Sequence, residues 1–382
     1  MSLVQIGIPR ETRPGETRVA ATPATILTFV GWEWTARVQS GAGTAAGFID
    51  DAYREAGAEI VDTTAEAVRA DLVLRVGPPL PDDLDLIPEG AAIAGFFDPF
   101  ADSALVRRLA DRKLTGLAME AIPRTTLAQA MDALSSQANI AGYAAVLLAA
   151  QSSPKLLPMM VTAAGTIPPS KALILGVGVA GLQAIATARR LGAVVYAYDI
   201  RPETKEQVES LGAKFVEAPT TEADEGGYAK EVTDDVQAKQ FAVLAPFVAD
   251  ADIVVTTAQI PGRPAPLLIN SEMVSAMHPG SVIVDMAAGS GGNVEGSRPD
   301  EVVVRGGVAI HGPTNLAGLV PTDSSRMYAR NLVALLERVR GEDGGLALDF
   351  DDEIIGATVV THQGEVRHPR CRSLLGLEEA TA

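Results

Sequence analysis

At 382 residues with 47% hydrophobic content, the chain exceeds the size at which single cores stop growing, so two domains are expected. A formal net charge of −17 argues against a nucleic-acid or anionic-membrane surface, and leaves any bound anion to be held by local groups. Cys371 is the only cysteine, which excludes an intramolecular disulfide and a cysteine-rich metal site and fits a reducing cytoplasm.

In chain order, the start "MSLVQIGIPRETRPGE" lacks the long apolar core of a secretory signal. Short apolar or β-branched runs then alternate with helical patterns: "LVQIGIP", "EWTARVQ", "DLVLRVG", "AAIAGFF" and "LTGLAME", followed later by "KALILGVG", "AVVYAYD", "DIVVTTA" and "SVIVDMA". That alternation predicts an α/β protein built on doubly wound parallel sheets. We expect a discontinuous first domain, residues 1–135 plus 325–382, and a second domain over residues 136–324. The segment from about residue 315 through "SSRMYARNLVALLERV" reads as helix, and the strand-like tail "GATVVTHQGEV" as a return to the first domain.

Between the two strand series lies "AIPRTTLAQAMDALSSQANIAGY", residues 121–143. Gln129, Asp132, Ser136, Asn139 and Tyr143 step by three, four, three and four residues, which predicts one polar stripe along a helix. Leu127, Met131, Leu134 and Ala138 would form the opposite, apolar face. The stripe is short, neutral or acidic rather than rich in Lys and Glu, and so suits a cleft better than open water. The apolar run at 141–150 falls short of the roughly 20 residues that a membrane span needs.

"KALILGVGVAGLQAIATARRLGAVVYAYDIR" then carries a dinucleotide-binding unit in order: a strand, Gly176, Gly178 and Gly181 in G-x-G-x-x-G spacing, a helix through Val179 and Ala180, and a second strand ending in Asp199. The glycines serve a tight turn, backbone approach to a pyrophosphate, and close helix packing, and the helix N-terminus offers free N–H groups to phosphate. Asp199, 18 residues past Gly181, is the expected partner of the adenosine 2′-hydroxyl and repels a 2′-phosphate, which favours NAD over NADP. Ile200 and Arg201 follow it; an arginine here is able to accept a 2′-phosphate but is more often solvated. Residues 256–266, "TTAQIPGRPAP", leave a strand at the ligand edge of the sheet, making Gln259 a candidate cofactor contact.

These motifs carry a resemblance. With "IPRETRPGETRVAATP", "PRTTLAQAMDALSSQANIAGY", "MMVTAAGTIPPSKALILGVGVAGLQAIATARRLGA" and "EGGYAKE", the chain resembles, nearly end to end, the NAD(H)-binding component of proton-translocating nicotinamide nucleotide transhydrogenases. The resemblance implies two Rossmann-like domains with a cofactor cleft between them, NAD(H) on this chain and NADP(H) on a partner component. It also implies a homodimer, a separate membrane-spanning component, and a cytoplasmic chain peripheral to the inner face of the membrane. The matching catalytic positions are Arg124, Gln129, Asp132, Ser135 and Tyr143, and a mobile loop matches the segment around Gly226, Gly227 and Tyr228. Hydride transfer between nicotinamides moves no substrate proton, so such a site needs orientation and electrostatic support rather than a general acid or base.

The related alanine dehydrogenases share the scaffold and Arg18, but the lysine and histidine implied for them fall on Gly77 and Asp98, which cannot replace an acid–base pair. A nucleotide-binding sensor without catalysis is a third possibility that the fold permits, and the polar stripe argues against it. The transhydrogenase pattern carries an acid before a double glycine where this chain has Gly289 and Ser290 before Gly291 and Gly292. His278, His311, His362 and His368 are too dispersed for a metal site.

Overall fold

The computed structural model describes residues 4–217, 234–260 and 263–377. It divides into one unit formed by Met1–Gln137 with Ala317–Ala382 and a second formed by Ala138–Leu316. The N-terminal stretch contributes β1 (Gln5–Ile8), β2 (Thr35–Gln39), β3 (Glu59–Val61), β4 (Leu72–Leu74), β5 (Ala92–Gly95) and β6 (Thr115–Ala118). The second unit carries a hairpin of β7 (Met160–Thr162) and β8 (Gly165–Ile167), then β9 (Lys171–Leu175), β10 (Val194–Tyr198), β11 (Lys214–Val216), β12 (Ile253–Thr256), β13 (Val282–Asp285), β14 (Val302–Arg305) and β15 (Val308–His311). The chain ends with β16 (Val359–His362) and β17 (Glu365–Val366).

In the first unit the strand order is β17-β16-β6-β5-β4-β1-β2-β3, parallel from β6 to β3, with β16 and β17 added antiparallel at one edge. The reversal of winding falls between β1 and β4. β4 shows why this sheet is buried on both faces. Leu72 and Leu74 join the core that contains Phe29, Trp34 and Leu332, whereas Val73 between them joins the core of Ile93, Phe97 and Leu109. Successive side chains of a strand leave opposite faces, so a continuous apolar run with helices on both sides fills two cores at once.

The second unit repeats the scheme as β11-β10-β9-β12-β13-β15-β14, antiparallel only at β14, with the reversal between β9 and β12. In register, Leu175 lies beside Tyr198 on one side and Thr256 on the other. The residues that follow these three strands therefore emerge together at one edge. Both units are α/β with doubly wound, mainly parallel sheets.

The division falls within the helix Ala133–Ser152, which is long and apolar enough by composition to cross a membrane, with a mean hydropathy of 1.2. Its residues Ala144, Ala145, Val146 and Ala149 are nonetheless packed as core. The 141–150 run alone understates this helix, because the polar first turn belongs to the same element.

Candidate functional site

After Leu175 the chain turns through Gly176, at φ 94°, into the helix Val179–Arg190, with Gly178 as the residue before the first turn. A Cβ on Gly181 would lie 1.9 Å from the Gly176 carbonyl oxygen, so only glycine lets the helix sit this close to its strand. A Cβ on Gly178 would meet nothing within 4 Å, which leaves the outer side of the turn open to a ligand. Val179 is exposed and Ala180 half-buried, and the N–H groups of this first turn have no intrahelical partner. The turn thus offers a phosphate both space and donors.

The loop after β12 closes one side of it: Thr257 donates its hydroxyl to the Gly176 carbonyl at 3.0 Å. The helix Ala133–Ser152 closes another, since a Cβ on Gly142 would lie 2.1 Å from the Ala180 carbonyl oxygen. Its neighbour Tyr143 is 39% exposed. In open α/β sheets ligands bind at the carboxyl edge where the winding reverses, and this turn lies at that point.

Asp199, directly after β10, is 7% exposed and reaches back to the turn, accepting from the Val177 N–H at 2.7 Å. It is also paired with Arg201, whose backbone N–H and Nε lie 2.9 and 3.0 Å from its Oδ1. Arg201 is thus half-buried against the acid rather than solvated. Ile200 packs on the unit's core. Gln259 is exposed, with its amide donating to the Met286 carbonyl at 2.8 Å. Tyr228, Gly226 and Gly227 lie outside the described residues.

Two residues of this unit were not singled out from the sequence. Asp285 and Asn293 are both fully buried and tie the loop after β12 to the loop after β13. A strand-end aspartate and an asparagine after a double glycine are the usable signals, but only their meeting in space makes a network of them.

In the first unit the expected polar stripe is broken. The helix begins at Ala133, and Gln129 lies before it on a single 3₁₀ turn, Gln129–Met131. Asp132 is the cause: its carboxylate accepts from the Ser135 N–H at 2.8 Å and the Ser135 hydroxyl at 2.6 Å, the bonds of a helix cap. Ser136 turns to Asn331 at 2.7 Å. The supposed apolar face is likewise divided, since Leu127 and Leu134 are exposed while Met131 is buried. Arg124 and Gln129 are exposed, whereas Asp132 and Ser135 are half-buried.

At the reversal point of this sheet there is no glycine-rich turn. Arg75, fully buried, lies 3.1 Å from Asp83 and 3.4 Å from Glu11, and Glu11 accepts the Val76 N–H at 2.6 Å. Arg18 is held by Glu16 at 2.8 and 2.6 Å and by Gln137 at 2.9 Å. Gly77 has only the Arg13 and Glu11 side chains near its Cβ position, at 3.8 and 3.9 Å. Asp98 is exposed at φ 50°, its carboxyl raised above the ordinary range by partial desolvation and by Asp102. Glu120 accepts the N–H groups of Phe97 and Asp98 at 2.7 and 2.6 Å, and its Oε2 is buried without a hydrogen-bond partner. Burial pushes its carboxyl up to about 7.

Comparison with known proteins matches a model of the alanine dehydrogenase/PNT N-terminal domain to residues 7–141 and one of the C-terminal domain to residues 145–369. The chain is 46% identical over 377 residues to an NAD(P) transhydrogenase subunit alpha polypeptide of Rhodospirillum rubrum, covering 96% of this chain and 98% of that one. A solved transhydrogenase structure from Sinorhizobium meliloti matches with a TM-score of 0.86 at 45% identity, covering 95% of this chain and 99% of that one. An L-alanine dehydrogenase structure matches with a TM-score of 0.81 at 27% identity, covering 97% and 99%.

Proposed function

The chain belongs to the alanine dehydrogenase/PNT family, and on that premise we propose that it is the NAD(H)-binding component of a proton-translocating NAD(P) transhydrogenase, passing hydride directly between NADH and NADP⁺ held on a partner component. The observation that carries the proposal is the turn at residues 176–181, open in front of Gly178, with Asp199 bonded to its backbone. Bound there, the nicotinamide cofactor supplies the hydride. The protein's role is to hold phosphate at the Val179 turn, ribose at Asp199, and the ring by Tyr143 and Gln259. Arg124, Gln129, Asp132 and Ser135 are proposed to act at the reacting end.

The choice against amino-acid oxidation rests on Gly77 and Asp98, where deprotonation of a substrate would need a suitable titratable pair. Glu120 has a raised carboxyl, but its Oε1 is held by the amides of Phe97 and Asp98 and its Oε2 is buried away from solvent.

The proposal extends to a homodimer. The β7–β8 hairpin presents Met160, Val161 and Ile167 to solvent, 41%, 69% and 45% exposed, and an apolar hairpin of this kind suits contact with a second copy. Partners are the NADP(H)-binding and membrane-spanning components, with the chain at the cytoplasmic face of the membrane. The test is hydride transfer from NADH to an NADP⁺ analogue, with and without the NADP-binding component. Transfer that requires both is expected; turnover of NADH with alanine chemistry alone would overturn the proposal.

A further inference from the structure

The loops leaving β12 and β13 lie on the far side of the reversal point from Asp199, and they are joined by a buried network. Asp285, at the end of β13, accepts from the Thr256 hydroxyl at 2.9 Å, the Ala287 N–H at 3.0 Å, the Asn293 N–H at 3.1 Å and the Val294 N–H at 3.3 Å. Asn293 then uses its whole amide: Nδ2 donates to the carbonyls of Ala258 and Pro266 at 2.9 and 2.7 Å, and Oδ1 accepts the Ala258 N–H at 3.1 Å. Two surface ties complete the join, the Ala265 N–H to Ser290 at 2.7 Å and the Gln259 amide to Met286 at 2.8 Å.

The Asp285 carboxylate meets the buried N–H groups of Ala287, Asn293 and Val294, and through Thr256 and Asn293 the same two buried side chains hold the loop after β13 to the end of β12. A Cβ on Gly292, at φ 82°, would lie 2.9 Å from the Asp285 carboxylate, so the double glycine is shaped to admit the acid. A dinucleotide that puts its adenosine ribose at Asp199 and its pyrophosphate at the Gly178 turn extends across the reversal point toward β12 and β13.

We propose that Asp285 and Asn293 are positioning residues that fix residues 256–260 and 285–294 as a single rigid seat for the nicotinamide half of the nucleotide. This rests on the nucleotide reading given above. With the uncharged residues Gly289 and Ser290 in this stretch, the seat consists of backbone groups and Gln259, and its shape depends on what anchors it. Buried amides stripped of their partners let the loops drift, and that loss falls on one half of the ligand only.

The experiment titrates the full chain with NADH and with ADP-ribose, which shares the adenosine half and lacks the nicotinamide. For Asn293→Ala, and for Asn293→Asp, which keeps the acceptor but loses both donors, the NADH dissociation constant should rise roughly tenfold while that for ADP-ribose stays within about twofold. Should neither variant fold, Thr256→Val withdraws one donor from Asp285 at similar shape and should show the same split at roughly threefold. Equal weakening of both ligands, or no change in either, overturns the positioning role while leaving the nucleotide reading intact. Failure of the wild-type chain to bind either ligand overturns both.

Discussion

Asp199 and Arg201 form a two-point ion pair, with the arginine's Nε and Nη2 each 3.0 Å from a different carboxylate oxygen. The carboxylate thus keeps this guanidinium turned toward itself, beside the turn proposed to hold the nucleotide.

Wild-type chain should therefore bind NADH more tightly than NADPH, by roughly tenfold or more, because a 2′-phosphate meets the acid first. Asp199→Ala removes the repulsion and the arginine's partner together, and the preference should fall toward unity. Fluorescence titration of the two reduced cofactors measures it, and equal wild-type affinities would sink the assignment.

Glu120 sets a pH dependence of stability. Its carboxyl is raised from an ordinary 4.5 to about 7 by burial, so the protonated form is favoured by folding, and its contribution is fully present below 4.5 and lost as pH rises toward 7. Holding the charge above that range costs on the order of 3 kcal/mol. Glu120→Gln keeps an acceptor for Phe97 and Asp98 without the charge. In urea melts it should be more stable than wild type at pH 8, and the gain should vanish near pH 4.5. A constant difference across pH would show that burial does not act on this group.

Alanine with NAD⁺ should give no NADH with this chain. Gly77 has no functional group, and Asp98 is an exposed carboxylate. A steady rise in absorbance of the reduced cofactor above a no-enzyme control would move the assignment to a dehydrogenase.

Gln129 stands on an exposed 3₁₀ turn ahead of the capped helix, carries no charge and is remote in sequence from the 176–199 binding segment. Gln129→Asn should leave the NADH dissociation constant nearly unchanged. Hydride transfer to a reconstituted NADP-binding component should slow by about 10- to 100-fold, the scale on which slight misplacement acts. Normal transfer in stopped flow with weakened NADH binding would make Gln129 a ground-state contact instead.

The sequence exposed those features that local chemistry decides. Strand runs such as "DLVLRVG" and "DIVVTTA" lie at β4 and β12 because buried parallel strands must be continuously apolar. The glycine turn was legible because each glycine answers a separate steric demand. The polar stripe failed for an equally local reason: periodicity counted Asp132 as a helix residue, whereas its side chain is the cap that starts the helix, a role for which aspartate is a favoured residue type. What could not be read were pairings across long separations. Arg18 with Gln137, Ser136 with Asn331, and Asn293 with Pro266 depend on which strand edges meet. The Glu120 carboxyl is a burial effect, invisible in the residues "LAMEAI" alone.

The loop from 289 to 292 has unequal freedom along its length. At Gly289 a side chain would meet only the Thr314 methyl at 3.4 Å, whereas at Gly292 it would strike the Asp285 carboxylate. A side chain is therefore admitted at 289 and excluded at 292, where the buried acid already fills the space. Position 289 thus offers a protein engineer a place in this loop where an added side chain leaves the buried network behind it untouched.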